Sequence, residues 1–126
     1  MVVSKRVLRS DRLRHVPPQF SWIDHRLVRD RHIAGRSVEA LALYLFLVTV
    51  SDGQGLSYYS DAGIARLLPL DLCGLARARQ ELIAARLIAY QKPLYQVLSL
   101  DEPGPPRTGQ AMSLGQILPP VMERKP

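Results

Sequence analysis

The sequence holds few of the residues that metal or redox chemistry requires. One cysteine, Cys73, and three histidines are present, so a disulfide within the chain is excluded and no Cys/His spacing typical of a zinc site occurs. The longest apolar run, residues 40–50, is far shorter than the roughly 20 residues of a membrane-spanning helix. No apolar segment typical of a signal peptide follows the basic N-terminus. We therefore expect a cytoplasmic protein that binds no metal, no cofactor and no membrane.

Catalytic motifs are missing as well. The chain has no nucleophile elbow, no HExxH helix and no clustered pair of acids in a predicted pocket. The stretch Gly53-Gln54-Gly55 has two glycines, but it lacks the other glycines and the Lys-Ser/Thr pair of a phosphate loop, and it predicts a turn. These absences favour a binding protein over an enzyme.

Positive charge is unevenly distributed along the chain. The net charge is +6, and all of the excess lies in residues 1–36, which carry nine lysines and arginines against three acids. Residues 37–100 hold five of each sign. A basic block of this kind is either a solubilising face or, when joined to a DNA-binding fold, an arm that grips phosphate. The N-terminal segment is thus the part expected to meet a polyanion.

Composition divides the chain into three parts, and its length leaves room for one domain. Residues 1–19 are basic, show little periodicity and end in prolines, which predicts a flexible arm. Residues 20–100 combine apolar runs with turn residues and are expected to form the domain. Residues 101–126 contain six prolines and are expected to be a disordered tail.

Four helices are expected in the domain, each opened by a capping residue. The first runs through Ile33 and ends at Gly35. The second, over residues 38–50, is apolar on most sides and is expected to be the central core helix. The third ends at Pro69, and the fourth covers residues 72–85. The four capping residues are Asp24, Ser37, Ser60 and Asp71.

Strand-forming residues lie before the third helix and after the fourth. Residues 56–59 follow a glycine turn and predict a short strand. Residues 86–90 and 94–98 predict two more strands, joined by a hairpin at 91–93. The expected fold class is therefore mainly α with a small β-hairpin, that is, α+β. Besides the second helix, the core is expected to take side chains from Leu27, Val28, Ile64, Ala65, Leu67 and Leu68. Trp22 is expected to be either a further core residue or a subdomain anchor.

The order of helix, short strand, helix, tight turn, helix and hairpin is that of a winged helix domain. Residues 60–88, together with "FSWIDHRLV" and "ALALYLFL" upstream, resemble the winged helix of GntR-type regulators and the N-terminal winged helix of plasmid replication initiators and DnaD-like primosomal proteins. The resemblance covers about residues 20–98. Its most specific part is the spacing of Ile64-Ala65, Leu67, Asp71, Leu75, Ala78, Leu82 and Leu87-Ile88.

The resemblance implies a winged helix-turn-helix fold that binds double-stranded DNA, in a transcriptional regulator or in a replication or mobile-element accessory factor. It places Leu72, Cys73, Gly74 and Arg77 at the base-reading positions. The families favour Ser, Thr, Arg, Asn or Gln there, so the Leu-Cys-Gly of this chain implies modest base discrimination. Arg86 stands where these families usually have a glycine.

Helical periodicity separates two sides of the fourth helix. At about 100° per residue, Leu75, Ala78 and Leu82 share one side, and Cys73, Arg77 and Gln80 lie opposite. The first side is expected to pack and the second to enter a major groove. Arg77 and Gln80 are the side chains able to contact bases or phosphate, with a merely solvated Arg77 as the alternative.

Further contacts to the DNA backbone are expected outside this helix. Ser60 either holds a phosphate at its helix N-terminus or is a plain cap. Arg66 points outward, and Lys92 lies in a wing too short to fill a minor groove. Arg79, beside the packed side, is expected to be structural. The basic arm residues expected to contact DNA are Lys5, Arg6, Arg9, Arg12 and Arg14.

An alternative function is a winged-helix module for protein–protein interaction, because residues 37–100 are neutral and the fourth helix opens with Leu-Cys-Gly. In the tail, residues 112–122, "MSLGQILPPVM", either dock on a protein partner or a second copy or are plain disordered chain. Binding that survives Arg77→Ala would favour the arm alone or a protein partner over a helix docked in a groove.

Overall fold

The computed structural model describes residues 4–101, and this part holds four α-helices and three strands. A 3-10 turn, Ser10–Arg12, precedes them. The predicted disordered tail beyond Asp101, including its 112–122 segment, lies outside the described residues. The helices are α1 Arg26–Arg29, α2 Val38–Val50, α3 Asp61–Leu67 and α4 Leu72–Ala84, and the strands are β1 Leu56–Tyr58, β2 Ile88–Gln91 and β3 Leu94–Val97.

The three strands form one antiparallel sheet in the order β1-β3-β2. Gln91 pairs with Leu94, which leaves Lys92 and Pro93, joined by a cis peptide, as a two-residue turn. β1 pairs with the other edge of β3, with Tyr58 opposite Leu94. The described chain is therefore mainly helical with a small antiparallel sheet, the α+β class that the sequence predicts.

Three of the predicted N-caps are present. The side chains of Ser37, Ser60 and Asp71 each accept a hydrogen bond from the amide three residues later, over 3.1, 3.0 and 2.6 Å. Each satisfies one of the amides that a helix N-terminus leaves without a partner. Because a cap acts over three positions, the starts of α2, α3 and α4 are encoded locally, and these predictions are confirmed.

The core lies where α2 packs along α4 and both helices contact the sheet. Leu47 of α2 and Tyr95 of β3 are fully buried. The predicted packing side of α4, formed by Leu75, Ala78 and Leu82, is also buried, so this prediction is confirmed. Removing one such leucine side chain from water contributes roughly 1.5–3 kcal/mol to folding. The packing side therefore fixes how α4 is rotated about its axis.

The first helix is much shorter than predicted. α1 spans only Arg26–Arg29, because Arg31 adopts a left-handed backbone conformation with φ 63° that an α-helix cannot continue. Asp24 does accept the Arg26 amide, at 2.9 Å, so the expected start is nearly correct. Leu27 is buried as predicted, whereas Val28 is 71% exposed instead of facing the core.

Two other large apolar side chains expected in the core are exposed. Trp22 is 75% exposed and Leu67 is 62% exposed. α3 is a short helix that buries Ile64 fully and Leu68 partly. Leu67 is the last residue of α3, and the chain leaves the helix in an extended conformation at Leu68. The side chain of Leu67 therefore lies at the end of the helix, outside the core. Trp22 lies outside any helix or strand.

Arg86 ends α4 in a conformation that glycine adopts most readily. Its φ is 61°, in the left-handed region. The Leu87 amide donates to the Leu82 carbonyl and the Arg86 amide to the Ile83 carbonyl, both at 3.0 Å, which is the bonding pattern of a Schellman C-cap. The tight turn is therefore formed without glycine, and β2 begins at Ile88, two residues later than predicted.

Glu81 of α4 ties that helix to the N-terminus of α2. Its carboxylate accepts the Ser37 amide at 2.8 Å and the Ser37 hydroxyl at 2.7 Å. These hydrogen bonds hold the pKa of Glu81 below its ordinary value of 4.5. A lowered pKa in the folded state means that this contribution to stability is complete above pH 4.5 and is lost as the pH falls through the folded-state pKa.

We expect Glu81→Gln to lower the urea midpoint of unfolding at neutral pH. Other carboxylates titrate in the same range, so the quantity to measure is the difference between the midpoints of variant and unmodified chain. That difference should shrink as the pH is lowered to about 3. Glu39→Gln, which removes an exposed carboxylate from the first turn of α2, is the matched control. A difference for Glu81→Gln that stays constant with pH would contradict the assignment.

Candidate nucleic-acid interface

α3 and α4 are consecutive helices that pack against each other across a short turn. The Leu68 amide donates to the Ile64 carbonyl at 2.9 Å, and the chain then extends through Pro69, which has no amide donor. Asp71 caps the new helix that begins at Leu72. Residues 71–73 are exposed, so the N-terminus of α4 is accessible to a partner.

One side of α4 faces solvent. Cys73, Arg77 and Gln80 are exposed, and Leu72 is 58% exposed; these four residues are called the α4 face below. They lie away from the side that packs in the core. A helix of 13 residues is roughly 20 Å long, and a major groove about 12 Å wide admits it. The α4 face combines two polar side chains with an apolar start.

Gly74 does not belong to this face, although the sequence placed it at a base-reading position. It is buried, and its amide donates to Asp71 Oδ1 at 2.6 Å. A Cβ at this position would lie 3.0 Å from the same oxygen. Gly74 precedes Ala78 by four residues and therefore shares its buried side. In the structure, Gly74 leaves room for the Asp71 carboxylate that caps α4.

Three further residues outside the arm were predicted to contact the DNA backbone: Ser60, Arg66 and Lys92. The Ser60 hydroxyl accepts the Gly63 amide at 3.0 Å, so the plain N-cap, one of the two alternatives for this residue, is present. Arg66 is exposed in the last turn of α3. Lys92 is exposed at the turn between β2 and β3. Both cations are therefore accessible to a polyanion.

The N-terminal segment is exposed along its whole described length. Every residue from 4 to 23 is exposed. The Ser21 hydroxyl donates to the Thr49 carbonyl at 3.1 Å, which attaches the end of this segment to the C-terminal turn of α2. The five basic arm residues are therefore all accessible from solvent; they are Lys5, Arg6, Arg9, Arg12 and Arg14.

One of the arm cations is partly neutralised by a neighbour. Arg9 Nη2 lies 2.8 Å from Asp11 Oδ2. The hydrogen bond raises the pKa of Arg9 and lowers the pKa of Asp11, so both groups are charged at neutral pH. A phosphate that approaches Arg9 must compete with this carboxylate.

Arg79 has the structural role that the sequence predicts. Its side chain is only 11% exposed and pairs with Asp61 of α3 at 2.9 Å. The same guanidinium donates to the Tyr95 hydroxyl at 2.8 Å and lies 4.4 Å from the centre of the Tyr90 ring. Arg79 thus connects α3, α4 and both strands of the hairpin, and it holds the α4 face in a fixed position relative to the sheet.

One feature of the surface was not predicted from the sequence. A cleft of about 430 Å³ lies between residues 20–24, the second half of α2 and residues 97–101. Phe20, Trp22 and Ile23 form its exposed apolar wall. The sequence signal available for it is the run Phe20-Ser21-Trp22-Ile23, in which three large apolar residues stand together without a helical period.

No protein-family model, no curated protein and no solved structure matches the chain. Within residues 4–101, no group of three or more His, Cys, Asp or Glu side chains is placed to hold a metal ion. None of the helices in this part combines the length and apolarity that crossing a bilayer would take. The function is therefore inferred from the residues of the chain and their geometry.

Proposed function

We propose that the chain is a winged helix-turn-helix protein that binds double-stranded DNA, with α4 as its recognition helix. The order of the elements and of the strands in the sheet is compatible with a winged helix. The observation that carries the proposal is the α4 face, which presents Arg77 and Gln80 on a helix that follows α3 across a short turn. Helix-turn-helix proteins place such a helix in the major groove.

The α4 face and the arm would contact different parts of the DNA. Leu72 and Cys73 can offer apolar contact to a thymine methyl group, whereas Arg77 and Gln80 can form hydrogen bonds to base edges or phosphate. The five arm cations supply contacts to phosphate, which carry affinity but no direct sequence information. We therefore expect binding with little sequence preference, as in an accessory factor of replication or of a mobile element or in a weakly selective transcriptional regulator of the cytoplasm.

A second candidate function is protein–protein interaction through the same surface. Leu67 and Leu72, which end α3 and begin α4, are 62% and 58% exposed. Two exposed leucines on either side of the turn favour contact with an apolar partner surface. This candidate predicts no affinity for duplex DNA beyond that of the arm.

The proposed function is tested by fluorescence anisotropy of a labelled random duplex, titrated with the full chain over a series of salt concentrations. We expect the logarithm of the association constant to fall linearly with the logarithm of the salt concentration, with a slope of about −0.9 for each phosphate contacted. Absence of binding to duplex DNA at low salt would overturn the proposal.

Arg77→Ala should weaken duplex binding by roughly 5- to 160-fold, because it removes one guanidinium contact worth about 1–3 kcal/mol. The same titration measures it, at one fixed salt concentration. Arg29→Ala is the matched control. It also removes one exposed arginine, but from α1 and not from the α4 face. Equal losses for the two variants would show a charge effect without groove docking. Retained binding by Arg77→Ala would leave the arm or a protein partner as the explanation.

A further inference from the structure

The cleft beside residues 20–24 has an apolar wall that the rest of the described chain leaves uncovered. Phe20 is 64%, Trp22 75% and Ile23 55% exposed. Within the wall, the Ser21 hydroxyl donates to the Thr49 carbonyl of α2 at 3.1 Å, and directly after it the Asp24 carboxylate accepts the Arg26 amide at 2.9 Å. Neighbouring large apolar side chains exposed on one fixed surface mark a place where another surface binds.

The charged groups at the cleft are already paired. Arg26 donates to Asp24 at 2.7 Å and to Asp101 at 2.6 Å. The Asp52 carboxylate accepts the Gln54 amide at 2.9 Å and a second amide at 3.0 Å. The pKa of Asp24 falls to about 2, chiefly through its hydrogen bonds with Arg26, so this pair stays charged over the physiological range. The charged side chains at the cleft are thus committed to partners within the chain, whereas Phe20, Trp22 and Ile23 remain exposed, which favours an apolar occupant over a charged ligand.

The chain itself supplies such an occupant. Asp101, the last described residue, is one of the residues that line the cleft. Residues 102–111, rich in proline, follow it, and then comes the segment 112–122 with Leu114, Ile117, Leu118 and Val121. Ten residues span roughly 16–19 Å as a flexible coil and about 31 Å in the extended conformation that proline favours, so the segment can reach the cleft from Asp101. A short linker of this kind gives a local concentration in the millimolar range, so a contact with a dissociation constant well below about 1 mM is mostly formed.

We propose that residues 112–122 dock in this cleft of their own chain, with their aliphatic side chains against Phe20, Trp22 and Ile23. Docking would place Trp22 in the apolar contact that its residue type favours. The cleft and the α4 face share no residue, so docking can be tested separately from DNA binding.

The experiment uses the fluorescence of Trp22, the only tryptophan of the chain. In the full chain we expect blue-shifted emission and weak quenching by acrylamide. Ile117→Asp combined with Leu118→Asp should shift the emission to the red and raise the quenching constant about two- to threefold, because the docked state is mostly populated at millimolar local concentration. Thr108→Asp combined with Gln110→Asp adds the same charge to the linker and should change neither quantity.

A second variant tests the cleft from its other side. Phe20→Ser changes a residue that is 64% exposed, so the fold should tolerate it, and it should release Trp22 as the tail variant does. Emission and quenching that are the same in the full chain and in the Ile117/Leu118 variant would overturn the proposal. So would quenching that depends on protein concentration together with a sedimentation coefficient that rises with it, because the occupant would then be the tail of a second copy.

Discussion

Replacing all five basic residues of the arm with glutamine should lower the affinity for a random duplex by roughly 10²- to 10³-fold at physiological salt. The slope of log affinity against log salt should become shallower by up to about 4.5, because five phosphate contacts each release about 0.9 counterion. The residues to replace are Lys5, Arg6, Arg9, Arg12 and Arg14, which are exposed and outside the packed domain. Thermal unfolding should be unchanged, which separates loss of binding from loss of folding.

The control is a variant that raises the positive charge of the arm, and the ion pair between Arg9 and Asp11 provides one. Asp11→Asn removes the carboxylate that lies 2.8 Å from the Arg9 guanidinium, so the arm gains one unit of net positive charge and Arg9 becomes available to phosphate. Affinity should rise several-fold, and the salt slope should steepen by up to about 0.9. If the five-residue variant and Asp11→Asn both kept the slope of the unmodified chain, the arm would not contact phosphate.

Features that depend on neighbouring residues could be predicted from the sequence. Ser37, Ser60 and Asp71 were recognisable as caps because each acts on an amide three positions away. The packing side of α4 was recognisable because its apolar residues recur with the helical period. Such local signals are also sufficient to predict the order of the helices and strands, and therefore the α+β class.

Features that depend on distant contacts or on an unusual backbone conformation could not be predicted. The end of α1 follows from the left-handed conformation of Arg31, which arginine rarely adopts. Trp22 was expected to be buried because of its residue type, but burial requires a surface that covers it. In the candidate site, the small size of Gly74 suggested close approach to DNA. The cap from Asp71 and the rotation of α4 bury it instead.

Replacing Arg79 with methionine should lower the free energy of unfolding by roughly 2–4 kcal/mol. Methionine keeps most of the apolar stem but removes the bonds to Asp61 at 2.9 Å and to the Tyr95 hydroxyl at 2.8 Å. The Asp61 side chain is 41% exposed and can be rehydrated, whereas Tyr95 is fully buried and its hydroxyl loses a donor in an apolar environment. The contact between the guanidinium and the Tyr90 ring is lost as well.

A double-mutant cycle separates these contributions. Tyr95→Phe alone removes the hydroxyl that Arg79 contacts, and the combined variant should lose about 1–2 kcal/mol less than the sum of the two single variants, because the two groups act on each other. Arg66→Met changes an exposed arginine of α3 and should alter stability by less than about 0.5 kcal/mol. Urea unfolding measures all four variants. If Arg79→Met cost no more than Arg66→Met, the links from α4 to α3 and to the hairpin would not stabilise the fold, and apolar packing would have to hold the α4 face in place.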